Sequence, residues 1–397
     1  MNDPKPQELH VSIDVGCYQH HVSVGLADGV YLGSFEIHHD KAGLAEFFDK
    51  VEQFKTHSNG VVSVAMEGYN GHARPLDKMI LSKQYHLLNI NNLKLARFKE
   101  IFPGAAKTDP IDSRKGLELF QLQQTLPLAK NVLQTVHQAP QENQQLKQLT
   151  RRRDRLVNER TRYLNTLQTD LRAISPGLIE ITNDVKNVWF INFLSSSKNL
   201  SQLARKSKTS VLNIKQVGVK YAQKIIDWQQ KSLFSDEVNM MSPLLQQDIA
   251  RIKELGTMIK HLDQYIIQLL AQSEIGQRLL SMEGFGVTCC GILAGEIGCI
   301  ARFEKESSLA LYLGMAALDN SSGLYNGSKR SKQVNRHAKT AMMSAVDHHR
   351  RHNEQSQRYY DKKRKEGKKH NQAIRSLGRH LARVIFNMLK NNRDYYV

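Results

Sequence analysis

Short apolar runs alternate with helically spaced segments over the first 125 residues. Apolar residues at i, i+3, i+4 and i+7 predict helices over Ala42–Val51 and Pro75–Leu81. Runs rich in valine and isoleucine predict strands at Val11–Val15, Val22–Leu26, Tyr31–Ile37, Val61–Met66 and Tyr85–Ile90. The order βββ-α-β-α-β predicts an α/β domain over residues 1–125.

Two long helices are predicted within residues 126–275. The first carries an apolar stripe from Leu146 to Leu171 and ends at Ser175-Pro176-Gly177. In the second, apolar residues from Ile252 to Leu269 recur in alternating steps of three and four, the spacing of a coiled coil. This stripe could pack within one chain or pair two protomers. We interpret residues 180–245, which are mixed and polar, as an insertion between the helices.

Residues 276–397 are predicted to form a mainly helical domain. The turn Gly284-Phe285-Gly286 precedes an apolar helix, and such a turn suits either a phosphate at the helix start or the close approach of two helices. A polar, glycine-bearing loop is predicted over residues 319–330. Apolar residues from Ile374 to Met388 share one helical face, so the basic end of the chain is expected to fold.

Charge is distributed unevenly along the 397 residues, whose formal net charge is +18. Residues 1–120 hold 13 basic and 15 acidic side chains, whereas residues 321–397 hold 19 and 5, a local balance of +14. A basic region of this kind indicates a polyanionic partner, most often nucleic acid, although it could also serve as a solubilising tail.

Cysteine use indicates a cytoplasmic protein. The four cysteines have no metal-site spacing, which fits reduced thiols. No apolar stretch reaches transmembrane length, so no membrane partner is expected. The first residues also lack the apolar core of a signal peptide.

Four carboxylates follow or flank the predicted buried elements. Asp14 and Glu67 close two apolar strands, and Asp109 and Asp112 lie in Lys107-Thr108-Asp109-Pro110-Ile111-Asp112. An uncompensated acid at the edge of a core is unfavourable, and a divalent cation would compensate it. Mg²⁺ prefers such hard oxygen ligands, and metal-assisted phosphodiester chemistry uses them. The four acids together therefore predict a site for Mg²⁺ or Mn²⁺.

Helix capping is the alternative explanation for two of these acids. Asp109 followed by Pro110 resembles an N-cap and first helical residue, and Asp112 then stands at a capping-box position. Asp14 and Glu67 could each be an incidental acid at a strand end. The metal interpretation depends on all four acids occurring in this order along this pattern of elements.

The ordered motifs resemble the DEDD transposases of bacterial insertion sequences, a family that includes the pilin-gene inversion recombinases. The likeness runs near full length through Ser12-Ile13-Asp14-Val15, Met66-Glu67-Gly68, the Asp109–Asp112 motif, Leu311-Tyr312-Leu313-Gly314 and Ser322-Gly323. The resemblance implies a ribonuclease H-like, RuvC-like N-terminal domain. It also implies that Asp14, Glu67, Asp109 and Asp112 are catalytic metal ligands.

The same resemblance implies a serine chemistry and a guide RNA. Ser322 corresponds to a nucleophile that forms a covalent phosphoserine intermediate with DNA. The implied function is that of an RNA-guided DNA recombinase or transposase of a mobile element, with a noncoding bridge RNA pairing to donor and target DNA. A dimer or tetramer is implied, in which the acids and the serine come from different protomers.

Several positions depart from the family pattern. Pro110 replaces a usual basic residue, Ala316-Ala317 replace a usual proline, and Gln333-Val334 replace a basic residue and a glycine. Ser321 beside Ser322 leaves the nucleophile ambiguous by one residue. A junction nuclease that uses water, a site-specific DNA invertase and an architectural protein with a decayed site remain alternatives.

Basic side chains supply candidate nucleic-acid contacts in two regions. They would hold phosphates without reading base sequence, and a solvated face is the alternative for any one of them. The candidates are Arg151, Arg152, Arg155, Lys329, Arg330, Lys332, Arg336, Lys339, Lys362, Lys363, Arg364, Lys368 and Lys369.

Overall fold

The computed structural model divides the chain into two compact units, Met1–Gln138 and Ala139–Val397. It describes residues 7–58, 60–69, 71–99, 109–125, 132–182, 184–316, 318–322, 325–329 and 334–396. At some of these positions, including 109–111, 319–322, 325–326 and 328–329, only the backbone is described.

The first unit is built on a six-stranded mixed sheet. The strands are β1 (Leu9–Val15), β2 (Gln19–Leu26), β3 (Tyr31–His38), β4 (Val62–Glu67), β5 (His86–Ile90) and β6 (Leu133–Thr135). Their spatial order is β3-β2-β1-β4-β5-β6, with β1, β4 and β5 parallel to one another. The five strands predicted from apolar runs are confirmed, and the short antiparallel β6 was not foreseen.

In the part of the first unit that the structure describes, four helices accompany this sheet: α1 (Lys41–Lys55), α2 (Arg74–Ser82), α3 (Asn92–Lys99) and α4 (Asp109–Thr125). Helix α1 buries Phe47 and Val51 in the same apolar cluster as Val11 and Val64 of the sheet. Helix α4 buries Leu119 and Phe120 in a second cluster. Both predicted helices of this region are confirmed.

The second unit is organised by two long helices, α5 (Gln141–Ile174) and α9 (Val238–Gln272). Leu156 of α5 packs on Leu255 and Ile259 of α9, so the predicted apolar seam closes within one chain. Arg251 of α9 also forms an ion pair with Glu159 of α5 at 2.6 Å. The two predicted long helices are therefore confirmed.

The insertion between α5 and α9 is helical. Its helices are α6 (Val188–Leu194), α7 (Lys208–Leu212) and α8 (Val219–Gln229), with 3-10 helices at Ile179–Ile181 and Leu200–Arg205. Phe190, Phe193 and Trp228 are buried together with residues from the adjoining ends of α5 and α9. The segment that was hardest to interpret from sequence thus caps the two long helices.

The remaining helices form the largest apolar cluster of the second unit. They are α10 (Glu274–Leu280), α11 (Val287–Ile297), α12 (Glu306–Tyr312), α13 (Arg336–His352), α14 (Glu354–Lys365) and α15 (His370–Lys390), with a 3-10 helix at Ile300–Arg302. Leu293, Val346 and Ile374 from three of these helices are fully buried in it. The predicted folding of the basic end of the chain is confirmed. No helix within the described ranges is both long and apolar enough to cross a bilayer.

The prediction of a loop over residues 319–330 is wrong, because much of this segment forms a β-hairpin. Strands β7 (Leu318–Ser322) and β8 (Tyr325–Lys329) pair antiparallel, with Leu318 opposite Lys329 and Ser322 opposite Tyr325. Its strands lack apolar alternation, so pattern analysis passed over them. Gly323 in a two-residue connection was the available signal for a hairpin.

Candidate active site

Asp14 and Glu67 lie at the same edge of the sheet, near the carboxyl ends of β1 and β4. The two strands are parallel, and Ser12 pairs with Ala65 and Ile13 with Met66. Asp14 and Glu67 are the next residues of each strand. Because paired residues of adjacent parallel strands point to the same face, the two carboxylates share one face at this edge.

Helix α4 covers the face to which these carboxylates point. A side-chain carbon added at Gly116 would lie 2.2 Å from the Ser12 hydroxyl oxygen, so the helix touches β1 at that point. Ser12 and Asp14 are two residues apart and therefore face the same way. Ala65 likewise shares an apolar cluster with Leu119 of α4, and Glu67 is two residues beyond Ala65.

The direction of α4 brings its first turn to the carboxylate edge. Ser113 hydrogen-bonds Ser23 of β2 at 2.8 Å, and further along the helix Gln121 donates to the carbonyl of Ala27 just after β2. The helix therefore runs along β2 and antiparallel to β1, so its start lies toward the carboxyl end of β1. Asp109 and Asp112 occupy this start.

Asp112 faces the sheet, since its exposed fraction is only 7%. The Lys115 ammonium, one helical turn later, lies 3.8 Å from its carboxylate. The Asp109 side chain lies outside the described residues. Three of the four predicted acids are thus directed to one edge of the sheet, and the backbone of the fourth begins the helix that carries Asp112.

The donor set at this edge suits a hard divalent cation. Carboxylate oxygens on two strands and one helix are the ligands that Mg²⁺ and Mn²⁺ accept. Among the described side chains no three His, Cys, Asp or Glu residues form a group able to hold a metal ion. The donor chemistry of Asp14, Glu67 and Asp112 suits a divalent cation, but these three acids do not by themselves form such a group.

Ser322 belongs to the hairpin of the second unit, at the end of β7 that is farthest from the hairpin base. Its side chain lies outside the described residues. The backbone places it beside the two-residue connection between β7 and β8. The side chains of Lys329, Arg330 and Lys332 also lie outside the described residues.

The other candidate basic residues differ in exposure and in whether they form ion pairs within the chain. Arg152, Arg155 and Arg336 are exposed, and Lys339 is half-buried. Lys363 forms an ion pair with Glu366 at 2.9 Å. The other four lie around the connection from α14 to α15: Lys362, Arg364, Lys368 and Lys369.

Arg151 is held in an ion pair that sequence reasoning missed. Its Nε and an Nη atom donate to the Glu296 carboxylate at 2.6 and 3.0 Å. Glu296 is fully buried and also accepts from Asn335 at 2.7 Å. A single acid inside the apolar run of α11 was the signal, because a buried carboxylate needs a partner.

Comparison with known proteins finds matches at both ends of the chain. The DEDD transposase family of IS110 matches residues 11–176, and the family described as Transposase IS116/IS110/IS902 matches residues 276–361. The first range contains the four acids and the second contains Ser322.

Individual relatives agree with these family matches. An insertion element IS110 protein of Streptomyces coelicolor is 26% identical over 76% of this chain and 75% of its own length. An insertion element IS900 protein of Mycobacterium paratuberculosis is 24% identical over 98% of both chains. A putative transposase of Sinorhizobium fredii is 23% identical over 52% of this chain and 56% of its own.

Proposed function

Because the chain belongs to the IS110/IS116 family of insertion-element transposases, we propose that it cleaves and exchanges DNA strands through a phosphoserine intermediate. In this proposal Ser322 is the nucleophile, and Asp14, Glu67, Asp109 and Asp112 hold Mg²⁺ or Mn²⁺. The observation that carries the proposal is the common edge of the sheet to which β1, β4 and α4 direct their acids. The fold proposed for the first unit is ribonuclease H-like.

The serine step exchanges one phosphodiester for another. The Ser322 hydroxyl oxygen bonds to phosphorus and gives up its proton, while a deoxyribose oxygen leaves the same phosphorus and takes up a proton. Reversal with a different deoxyribose hydroxyl joins new strands, so no water is consumed. A divalent cation held by the four acids would withdraw charge from the phosphate and so assist attack by a neutral serine hydroxyl.

Nucleic acid is the proposed partner of the basic surfaces. The charge of residues 321–397 suits phosphates of donor and target DNA, and of a bridge RNA that would select both by base pairing. The protein would then need to recognise shape and charge more than base sequence. We further propose a dimer or tetramer in which the acids of one protomer act on the phosphate attacked by the serine of another.

Adjacent serine substitutions test the nucleophile. Ser322→Ala should abolish covalent protein–DNA adducts and strand exchange, while DNA affinity changes by less than about twofold because no charged phosphate contact is removed. Ser321→Ala is the matched control and should retain adducts.

Adduct analysis by denaturing electrophoresis with labelled DNA measures the result. Adducts lost only in Ser321→Ala would move the nucleophile by one residue. Cut DNA without an adduct in the unchanged chain would replace the proposal with hydrolysis by water.

A further inference from the structure

We infer that Glu296, together with Arg151 and Asn335, forms a positioning group that fixes the base of the hairpin carrying Ser322. The inference rests on the proposed function, because it assigns a purpose to the hairpin only if Ser322 reacts. None of the three residues needs to touch DNA for this role.

The two ends of the hairpin segment are tied to each other. The chain enters it from Tyr312 at the end of α12 and leaves it at Asn335, immediately before α13. The Asn335 backbone N–H donates to the Tyr312 carbonyl at 3.0 Å. The Asn335 amide also donates to the Tyr312 hydroxyl at 2.8 Å. The entry and the exit are therefore joined by two hydrogen bonds.

Asn335 also connects this junction to α13 and α11. Its side-chain oxygen accepts from the Ala338 N–H at 3.0 Å and so caps α13. Its side-chain nitrogen donates to Glu296 at 2.7 Å. The Asn335 amide thus caps the start of α13 and also ties the junction, the contact between Tyr312 and Asn335, to α11.

Glu296 passes the restraint on to the long helix α5. Arg151 grips its carboxylate with two donors, a geometry that fixes orientation as well as distance. Helices α5 and α11 meet closely here, because a side-chain carbon at Gly295 would lie 2.5 Å from the Lys147 backbone nitrogen. The hairpin junction is therefore connected, through Glu296 and Arg151, to the 34-residue helix α5.

The carboxylate of Glu296 is held in its charged form. Burial by itself raises the pKa of Glu296, but the Arg151 hydrogen bond and the charges of Lys147 and Arg151 outweigh it, so the pKa lies below its usual value. Two further hydrogen bonds, from Tyr312 and Arg302, reach the Glu296 backbone carbonyl. A buried, ionised group of this kind favours one arrangement, because losing a partner would leave an uncompensated buried charge.

The position of Ser322 should be sensitive to small movements at this junction. Ser322 lies at the far end of β7, four register steps from the pair Leu318 and Lys329. A small rotation at the junction displaces the tip by more than it displaces the base. Misplacement of a reacting atom by about 1 Å can lower a rate about 100-fold, so loss of the network should reduce the rate of attack with little change in DNA affinity.

Two variants of the full chain separate positioning from folding. Glu296→Gln keeps the shape but removes the charge that Arg151 grips. Asn335→Ser keeps a hydroxyl able to cap α13 but is too short to bridge Tyr312 and Glu296. In each, single-turnover adduct formation at saturating DNA should slow by about 10- to 100-fold, while the Kd for DNA changes by less than about threefold because no phosphate contact is removed.

Glu304→Gln is the matched control, since it makes the same charge change at an exposed position eight residues away. It should leave the saturating rate and the melting temperature unchanged. Unchanged saturating rates in Asn335→Ser would overturn the inference, whether or not Glu296→Gln folds. Equal losses of affinity, stability and rate in both variants would overturn it too, because they indicate unfolding.

The Ser322→Ala result separates failure of the inference from failure of the proposed function. If Ser322→Ala still forms adducts, the proposed nucleophile is wrong. If Ser322→Ala abolishes adducts while Glu296→Gln and Asn335→Ser react at the normal saturating rate, the positioning inference is wrong and the proposed nucleophile stands.

Discussion

Gln216 and Gly284 occupy equivalent positions in two helix–turn–helix hairpins of the second unit. Both have positive φ angles, 69° and 76°, and each lies two residues before the glycine that caps the second helix. One residue further on, Val217 donates to the Ile214 carbonyl at 3.0 Å and Phe285 to the Met282 carbonyl at 3.1 Å. The chain therefore builds the same turn twice, 68 residues apart, once with a non-glycine residue at the strained position.

The surroundings of the two turns predict effects of different size on substitution. A side-chain carbon at Gly284 would lie 2.9 Å from the His349 α-carbon, and its φ disfavours any other residue. Gly284→Ala should lower the free energy of unfolding by about 3 kcal/mol through strain and crowding. Gln216→Gly should change it by less than about 1 kcal/mol, because relief of strain offsets the added chain entropy.

Urea unfolding monitored by circular dichroism measures both hairpin variants. A neutral Gly284→Ala would contradict the close approach of this turn to α13. Of the two explanations offered for Gly284-Phe285-Gly286, the contact with His349 supports close helix packing.

The seam between the two long helices predicts a large effect at Leu255. This side chain is fully buried against Leu156 and Ile259. Leu255→Ala should lower the free energy of unfolding by about 2–5 kcal/mol through lost burial and a cavity. Ile267→Ala is the matched control on the same helix, because its side chain is 52% exposed, and it should change stability by less than about 0.5 kcal/mol. Similar losses in denaturant unfolding of the two variants would contradict the intrachain seam.

We expect protonation of His20 to lower the stability of the first unit at acidic pH. Burial, with the neighbouring His39 and His21, lowers the pKa of His20 to about 4 from 6.5. Between these values the unfolded chain binds the proton more readily, so the stability that His20 contributes is lost as pH falls from 6.5 toward 4. His20→Gln should reduce the pH dependence in this window by on the order of 2 kcal/mol. An unchanged profile of unfolding free energy against pH would contradict this assignment.

Divalent cations should raise the thermal stability of the first unit. A ligand that binds only the folded state at 100 times its Kd adds about 2.7 kcal/mol, so millimolar Mg²⁺ or Mn²⁺ should raise Tm by several degrees. Asp14→Asn and Asp112→Asn should abolish the shift, whereas Asp49→Asn, at an exposed position of α1, should retain it. Differential scanning calorimetry measures the shift, and an equal shift in all three variants would place the cation elsewhere.

Local apolar spacing accounted for the parts of the fold that were predicted correctly. The strands that end at Asp14 and Glu67 and the stripes of α5 and α9 carry their burial pattern in consecutive residues. Trp228 and Phe190 meet only after the intervening chain has turned back, so the core of the insertion leaves no local pattern. The carboxylate edge could be predicted as a set of residues. Its arrangement required the contact of Gly116 with Ser12, which joins residues about 100 positions apart.

Arg151 and Arg152 are neighbours in sequence but should contribute differently to DNA affinity. Both side chains are exposed, but the Arg151 guanidinium is already bound to Glu296. If Arg152 contacts a phosphate, Arg152→Ala should weaken binding for every DNA sequence and lower the slope of log Kd against log salt by about 1. Arg151→Ala should lower that slope by less, because its charge is largely neutralised by Glu296, and should instead slow adduct formation. Titrations of labelled duplex DNA at several salt concentrations measure both slopes. Equal slopes would indicate that Arg151 binds phosphate as Arg152 does, and would contradict this prediction.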